Sequence, residues 1–317
     1  MTYGQYGLIE ATDFNTFVGN ATVGISTANT LNSIWGIGIL NTGYGQIGVP
    51  VVQQYTTVSH TDWANLINTT RSIGSHQGTA ITQITAPGRG DRISTITAVS
   101  TNLQSVYTNR FNASAQGTTV NYPVTNSSTW NAAITFTHTL TFESAIKMRH
   151  FFNTGGQIAL AFGHPTGTGV NSLLSTLASA CGTLVISAIN SGTCSIAGTT
   201  YTGFSKKGGS GTTTTLLSNA GYYGLTSTFQ EVFKQAGTGT PSAYTGTFIS
   251  VNIRLNAAPG TATTMTISTL WDEVPNGGTT LGLTSGSATT LTVRPPSVTY
   301  LTNSWGTVGV VGAVTGS

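Results

Sequence analysis

Residues 134 to 142 alternate without a break, and that period constrains the fold more than any other feature of the chain. Ile134, Phe136, His138, Leu140 and Phe142 fall on one side of the backbone, with polar residues between them. A period of two is the mark of a half-buried strand. It returns through Ile158, Leu160 and Phe162, and again through Ile249, Val251, Ile253 and Leu255. Met265, Ile267 and Trp271 repeat it once more, and AAPGTA between the last two runs suits a hairpin loop. TTLTVRPPS reads as a last strand, stopped by Pro295 and Pro296.

Between these runs lie shorter stretches of helical period. IEATDFNTFV (9–18) reads as a short helix capped by Thr12. SHTDWANLINTTRSIG (59–74) places Trp63, Leu66, Ile67, Thr70 and Ile73 on one face, with Thr61 as N-cap and Gly74 or Gly78 as the stop. Residues 93–107 repeat the pattern through Ile96, Val99, Leu103 and Val106. ESAIKMRHFFN and VNSLLSTLASACG read as two further helices. GTLVISAIN and CSIAGTTYTGF read as strands joined by a hairpin turn at NSGT, and KKGGSGTTTT (206–215) as a flexible loop. The expected fold class is therefore α+β, rich in β, with antiparallel sheets in a sandwich-like arrangement and a few short helices. Residues 1–122 form a mixed N-terminal portion suited to docking and assembly. Residues 123–317 form a β-rich portion whose end, from about residue 300, reads as an extended arm.

Charge narrows the function. Only 6% of the 317 residues are charged and the formal net charge is +3, against about 25% charged residues in an ordinary soluble protein. Lys206 and Lys207 are the only adjacent basic pair, so no cluster of phosphate contacts for nucleic acid is expected. The 28 aromatic residues, 5 Trp, 11 Tyr and 12 Phe, run along the whole length and argue against disorder. No basic-then-apolar leader opens the chain, and no run of about 18 apolar residues exists. So neither a signal peptide nor membrane insertion is expected. A surface this poor in charge has little protection against association, which suits a subunit held in an assembly.

Chemistry finds few footholds. There are eight acidic residues; the adjacent Asp272 and Glu273 diverge on a strand end, whereas a glycosidase needs two converging carboxylates. GHPTGTG (163–169) lacks the lysine of a phosphate loop and reads as a turn. GRGDR (88–92) reads as a polar loop, and His76 as a helix-end histidine meeting the macrodipole. Cys181 and Cys194 read as separate thiols; two cysteines alone make no structural zinc site. No catalytic, cofactor-binding or metal-binding residue is expected.

The one dense cluster is KMRHFFNTGGQIAL (147–160). Its basic residues sit beside Phe151 and Phe152, and Asn153 leads into Gly155 and Gly156. We read Arg149, Phe151, Phe152, Asn153, Gly155 and Gly156 as a structural joint: a helix across a sheet, apolar stripe inward, basic residues outward, and glycines where φ is positive or backbones approach closely.

KMRHFFNTGGQI resembles a signature of virion structural proteins of tailed bacteriophages, among them phages of cyanobacteria and other aquatic bacteria. LIEATDFNTFVG, GYGQ, DWANLINTTRSIGSHQG and VNIRLNAAPGTATTMTISTLWDE resemble further stretches of the same proteins, in the same order. The resemblance implies a non-enzymatic component of tail, baseplate or fibre, made in the bacterial host cytoplasm and placed in the virion. Its partners would be copies of itself, as a trimer or hexamer, and other virion proteins. The alternative is a receptor- or glycan-binding module on the particle, with Tyr222 and Tyr223 exposed to stack on host surface sugars. A capsid decoration protein and a polysaccharide depolymerase are the remaining readings.

Overall fold

The computed structural model describes residues 11–19, 29–89, 91, 95–237, 246–274 and 282–316. Four helices come first: α1 (Ala11–Val18), α2 (Leu31–Ile34), α3 (His60–Gln77) and α4 (Ile96–Thr108). Then follow β1 (Val120–Thr125), β2 (Ala133–Phe142), α5 (Ala145–Asn153), β3 (Gln157–Gly163), α6 (Val170–Cys181) and β4 (Thr183–Ile186). The remaining strands are β5 (Cys194–Ile196), β6 (Thr199–Tyr201), β7 (Phe204–Lys207), β8 (Thr213–Leu216), β9 (Gln230–Ala236), β10 (Phe248–Leu255), β11 (Thr264–Asp272), β12 (Ala288–Arg294) and β13 (Val308–Gly316).

Two antiparallel sheets carry the fold. One runs β1-β12-β3-β4-β7 and the other β13-β2-β11-β10-β9-β8, with β5-β6 as a separate hairpin. The two large sheets face each other. His138 on β2 meets Thr289 on β12 at 2.9 Å, and the Phe162 ring of β3 lies against Trp271 of β11 and Phe233 of β9. Each alternating run supplies the inner face of its strand, because burying one face of a pleated strand is what a period of two achieves. β1 pairs with β12 in one sheet while β2 pairs with β11 in the other. Early and late strands thus wrap around each other as two nested antiparallel pairs, the outer connectivity of a jelly roll.

The helices share the core of this sandwich, with α5 against β2 and α6 against β3, β9 and β10. One contiguous cluster of buried side chains runs from Phe14 on α1 through Trp63 on α3 to Trp271 and Val308. Helix α3 starts at Ser59, not Thr61. Ser59 Oγ accepts from the Asp62 amide, and the Asp62 carboxylate accepts from the Ser59 amide, a reciprocal cap; Gly78 ends the helix. Ser59→Ala removes that cap, and we expect a loss of about 1 kcal/mol in a thermal melt. In α1, which begins at Ala11, Thr12 lies inside the first turn.

Four further sequence expectations give way to tertiary pairing. NSGT does not join paired strands: β4 pairs with β3 and β7, and β5 with β6. The stretch 206–215 contains the end of β7 and most of β8. VNYPVT, which straddles the boundary drawn between residues 122 and 123, is strand β1, paired with β12. The segment after residue 300 is not an extended arm. Leu301 and Trp305 are buried, and β13 lies along β2 in unbroken register from Val308–Phe142 to Gly316–Ile134. Cys181 and Cys194 are buried thiols, and burial pushes the Cys181 thiol up to about 12.

Candidate functional site

The KMRHFFNTGGQ segment forms α5 and the turn after it, and most of its polar groups are engaged, Arg149 Nε and Gln157 Nε2 being buried without a hydrogen-bond partner among the described residues. Ser144 caps the helix by accepting from the Lys147 amide. Lys147 faces outward and pairs with Glu143, whose other carboxylate oxygen accepts from the Thr307 amide. Arg149 and His150 do not face outward as their charge suggests: both are buried. Arg149 Nη2 donates to the carbonyls of Ile37 at 2.7 Å and Gly38 at 3.1 Å. The His150 ring lies between the carbonyls of Ile37 (3.2 Å from Nε2) and Ser304 (3.4 Å from Nδ1), and burial lowers its pKa. Gly45 packs on that ring, where a Cβ would overlap the imidazole.

Asn153 is the centre of the arrangement. Its Nδ2 faces the carbonyls of Leu40 (3.3 Å), Thr42 (2.9 Å) and Gly43 (3.1 Å), while Oδ1 lies 2.8 Å from the Tyr223 hydroxyl. Residues 35–46 are thereby folded onto α5 through their own carbonyls, which a glycine-rich loop without regular structure leaves free. The C-terminal segment joins from the other side. Gln46 exchanges bonds with Thr302, and Ser304 Oγ donates to the Tyr44 carbonyl at 2.5 Å. Tyr44 is buried; its hydroxyl donates to Arg110 O and accepts from Gln77, and burial raises its pKa. Gly155 sits at φ +86, and a Cβ on Gly156 would strike the Phe151 carbonyl and ring, so each glycine is required for a different reason.

The apolar side of α5 is a line of rings. Phe142 meets Phe151 at 5.4 Å, Phe151 meets Phe152 at 5.1 Å, and Phe152 stacks on Tyr222 at 4.6 Å with the planes 6° apart. Tyr222 in turn meets Tyr223 at 4.7 Å. The joint residues and the tyrosine pair, read from the sequence as two separate features, are therefore one aromatic line. This corrects the glycan reading of the tyrosines. Tyr222 is fully buried, and its hydroxyl accepts from the Gly260 amide. Tyr223 is half-buried against Phe111, with its hydroxyl 2.6 Å from Leu40 O.

A second polar cluster escaped sequence reasoning because its members are far apart in the chain. Trp130 Nε1 donates to Ser287 Oγ at 3.1 Å, and Ser287 Oγ lies 2.9 Å from His164 Nδ1. Asn171 Oδ1 only accepts, so a neutral His164 ring carries its proton on Nε2 and its Nδ1 accepts from the Ser287 hydroxyl. His164 Nε2 then donates to Asn171 Oδ1 at 3.1 Å. The order is that of a nucleophile, a base and an orienting amide, but Ser287 is 0% exposed. A substrate has no access to it, and the cluster clasps β12 to the end of β3 and the start of α6.

Elsewhere, Asp272 points to the outer face of β11 and Glu273 is buried on the inner side, so their carboxylates diverge. The Asp91 carboxylate, in GRGDR, accepts from the Gly88 amide; Gly90 and Arg92 lie outside the described residues. Among the described residues no group of three His, Cys, Asp or Glu side chains could hold a metal ion, and no helix is long and apolar enough to cross a membrane. No protein-family model matches the chain, and no curated protein or solved structure matches it either.

Proposed function

We propose that this protein is a structural component of a tailed-phage virion, associated with tail, baseplate or fibre, and that it acts by assembly. One observation carries the reading. GYGQ and KMRHFFNTGGQ, two of the stretches that resemble such proteins, are a hundred residues apart in sequence yet interlock in space: Gly45 lies on His150, and Asn153 reaches the Thr42 and Gly43 carbonyls. A resemblance that maps onto one physical unit points to a shared scaffold. The segment beside that unit turns apolar side chains to solvent: Leu40 is 59% exposed, Ile47 93% and Tyr55 95%. Outward apolar groups on a chain with so few charges suit docking to neighbouring proteins.

An antibody against the purified chain tests this on density-gradient particles from a culture that produces it. Immunogold at a fixed position on tailed particles is the expected result. Chain found only in the soluble fraction of the lysate overturns the reading. An open groove of about 480 Å³ at the C-terminal ends of α3 and α4 favours glycan binding as the second reading. Gln104, Ser105, Thr108, Asn109 and Asn112 line it with uncharged amides and hydroxyls, the donors and acceptors that sugar hydroxyls match. Binding on a glycan array that Asn109→Ala abolishes supports it.

A further inference from the structure

Of the four edges of the two large sheets, three carry the devices that stop strands from pairing with other chains. β1 contains Pro123, which has no amide hydrogen to offer. β7 is four residues long and ends in Lys206 and Lys207. β8 is also four residues long and shifts register against β9. The fourth edge, β13, has none of them. It runs nine residues, VGVVGAVTG, with no charge, no proline and no register shift against β2. Its outward-facing Val311 is 72% exposed. Among the described residues no strand pairs with its second edge. A long, flat, uncharged edge is a template for another strand, and its contrast with the other three edges marks it as a place built to be covered.

We propose that β13 pairs antiparallel with β13 of a second copy of this chain, joining two six-stranded sheets into one across a two-fold axis at Gly312. An identical strand suits this edge well. Centring on Gly312 pairs all nine residues, sets Val308 opposite Gly316, Val310 opposite Val314, and Val311 opposite Ala313, and brings no like charges together. Inward-facing residues then meet inward-facing residues, because a two-fold axis normal to the sheet preserves its two faces. A lysine-bearing or proline-bearing partner strand would fit the edge less completely. This inference goes beyond the virion reading and does not rest on it: a particle assay tests that reading, and a solution assay tests this one.

The full chain is measured by light scattering over a range of concentrations, beside the double variant V311K/A313K. That variant sets lysines opposite lysines at the centre of the pair. It is expected to raise the dimer dissociation constant by about 30-fold while far-UV circular dichroism stays unchanged. Thr137→Lys, on the same outer face but in the interior strand β2, is expected to leave the dimer intact. Should the double variant not fold, Val311→Cys and Ala313→Cys chains are mixed and oxidised. A disulfide needs Cβ atoms about 4 Å apart, which directly opposed residues approach and diagonal ones at about 7–8 Å do not, so a cross-link that forms faster in the mixture than in either variant alone supports the register. A wild-type chain that stays monomeric at every concentration overturns the proposal. So does a dimer that the lysines leave intact, or a mixture that gives no cross-link.

Discussion

Asn153→Asp is expected to destabilise the protein by about 3 kcal/mol or more, although it changes one NH2 group for an oxygen. In the native structure the Asn153 amide faces three carbonyls, of Leu40, Thr42 and Gly43. A carboxylate there has nothing to donate. It would place a negative charge against three carbonyl dipoles at a residue only 1% exposed. Only the Tyr223 hydroxyl would still be satisfied. Residues 40–43 would lose their Asn153 bonds, which loosens the stretch that leads to Tyr44 and Gln46 and their contacts with Ser304 and Thr302. Urea unfolding reads the loss as a lower midpoint, with Asn153→Ala as an intermediate case that removes the donors without adding charge. A variant as stable as the wild type would mean that the bonds of Arg149 and His150 to Ile37 and Gly38 hold the loop on α5 without Asn153.

Acid should unfold the protein between about pH 6.5 and pH 4, above the range in which most carboxylates protonate. Burial lowers the pKa of His76 to about 4 and that of His138 to about 4, and it lowers those of His150 and His164 as well. In each case the unfolded chain takes up a proton near pH 6.5 while the folded chain holds a neutral ring. The unfolded state therefore binds more protons across that window, and stability falls as pH falls, levelling off below the folded pKa. For His76 and His138 the difference amounts to about 3 kcal/mol each near pH 4, a large share of a stability of about 5–15 kcal/mol. His138 is 0% exposed and has only Thr289 Oγ1 at 2.9 Å on Nε2, so no carboxylate is at hand to stabilise the imidazolium. Urea midpoints at pH 7.5, 6, 5 and 4.5 should fall steadily, and His138→Gln should flatten the slope. Equal midpoints at pH 7.5 and 4.5 would show that these rings take up protons in the folded state at no cost.

The Asn153 result would also show why the joint was only half legible in the sequence. The apolar stripe of α5 and the glycine turn were readable, because ring spacing and glycine density are local properties. The direction of Arg149 and His150 was not. Charge alone places a basic side chain in water, but here the free carbonyls of a loop a hundred residues earlier offer it partners. Such carbonyls leave no mark in the residue names, since every residue carries one. Tyr222 shows the same limit: GYYGL reads as an exposed turn until Phe152 is found stacked on it.

The chain by itself determined the inner faces of β2, β3, β10 and β11, the cores of α3 to α6, and the overall β-rich class. These follow from periods of two and 3.6 that act over ten residues. Tertiary structure alone decided that VNYPVT is a strand, that β4 leaves its neighbour NSGT to pair with β3 and β7, and that the glycine-rich tail lies along β2 as the sheet's edge. The physical reason is common to all three. In each case a partner's free amides and carbonyls decide, and the local sequence does not mark them: VNYPVT and the glycine-rich tail become strands only beside such a partner, and β4, already legible as a strand, has its neighbours chosen that way.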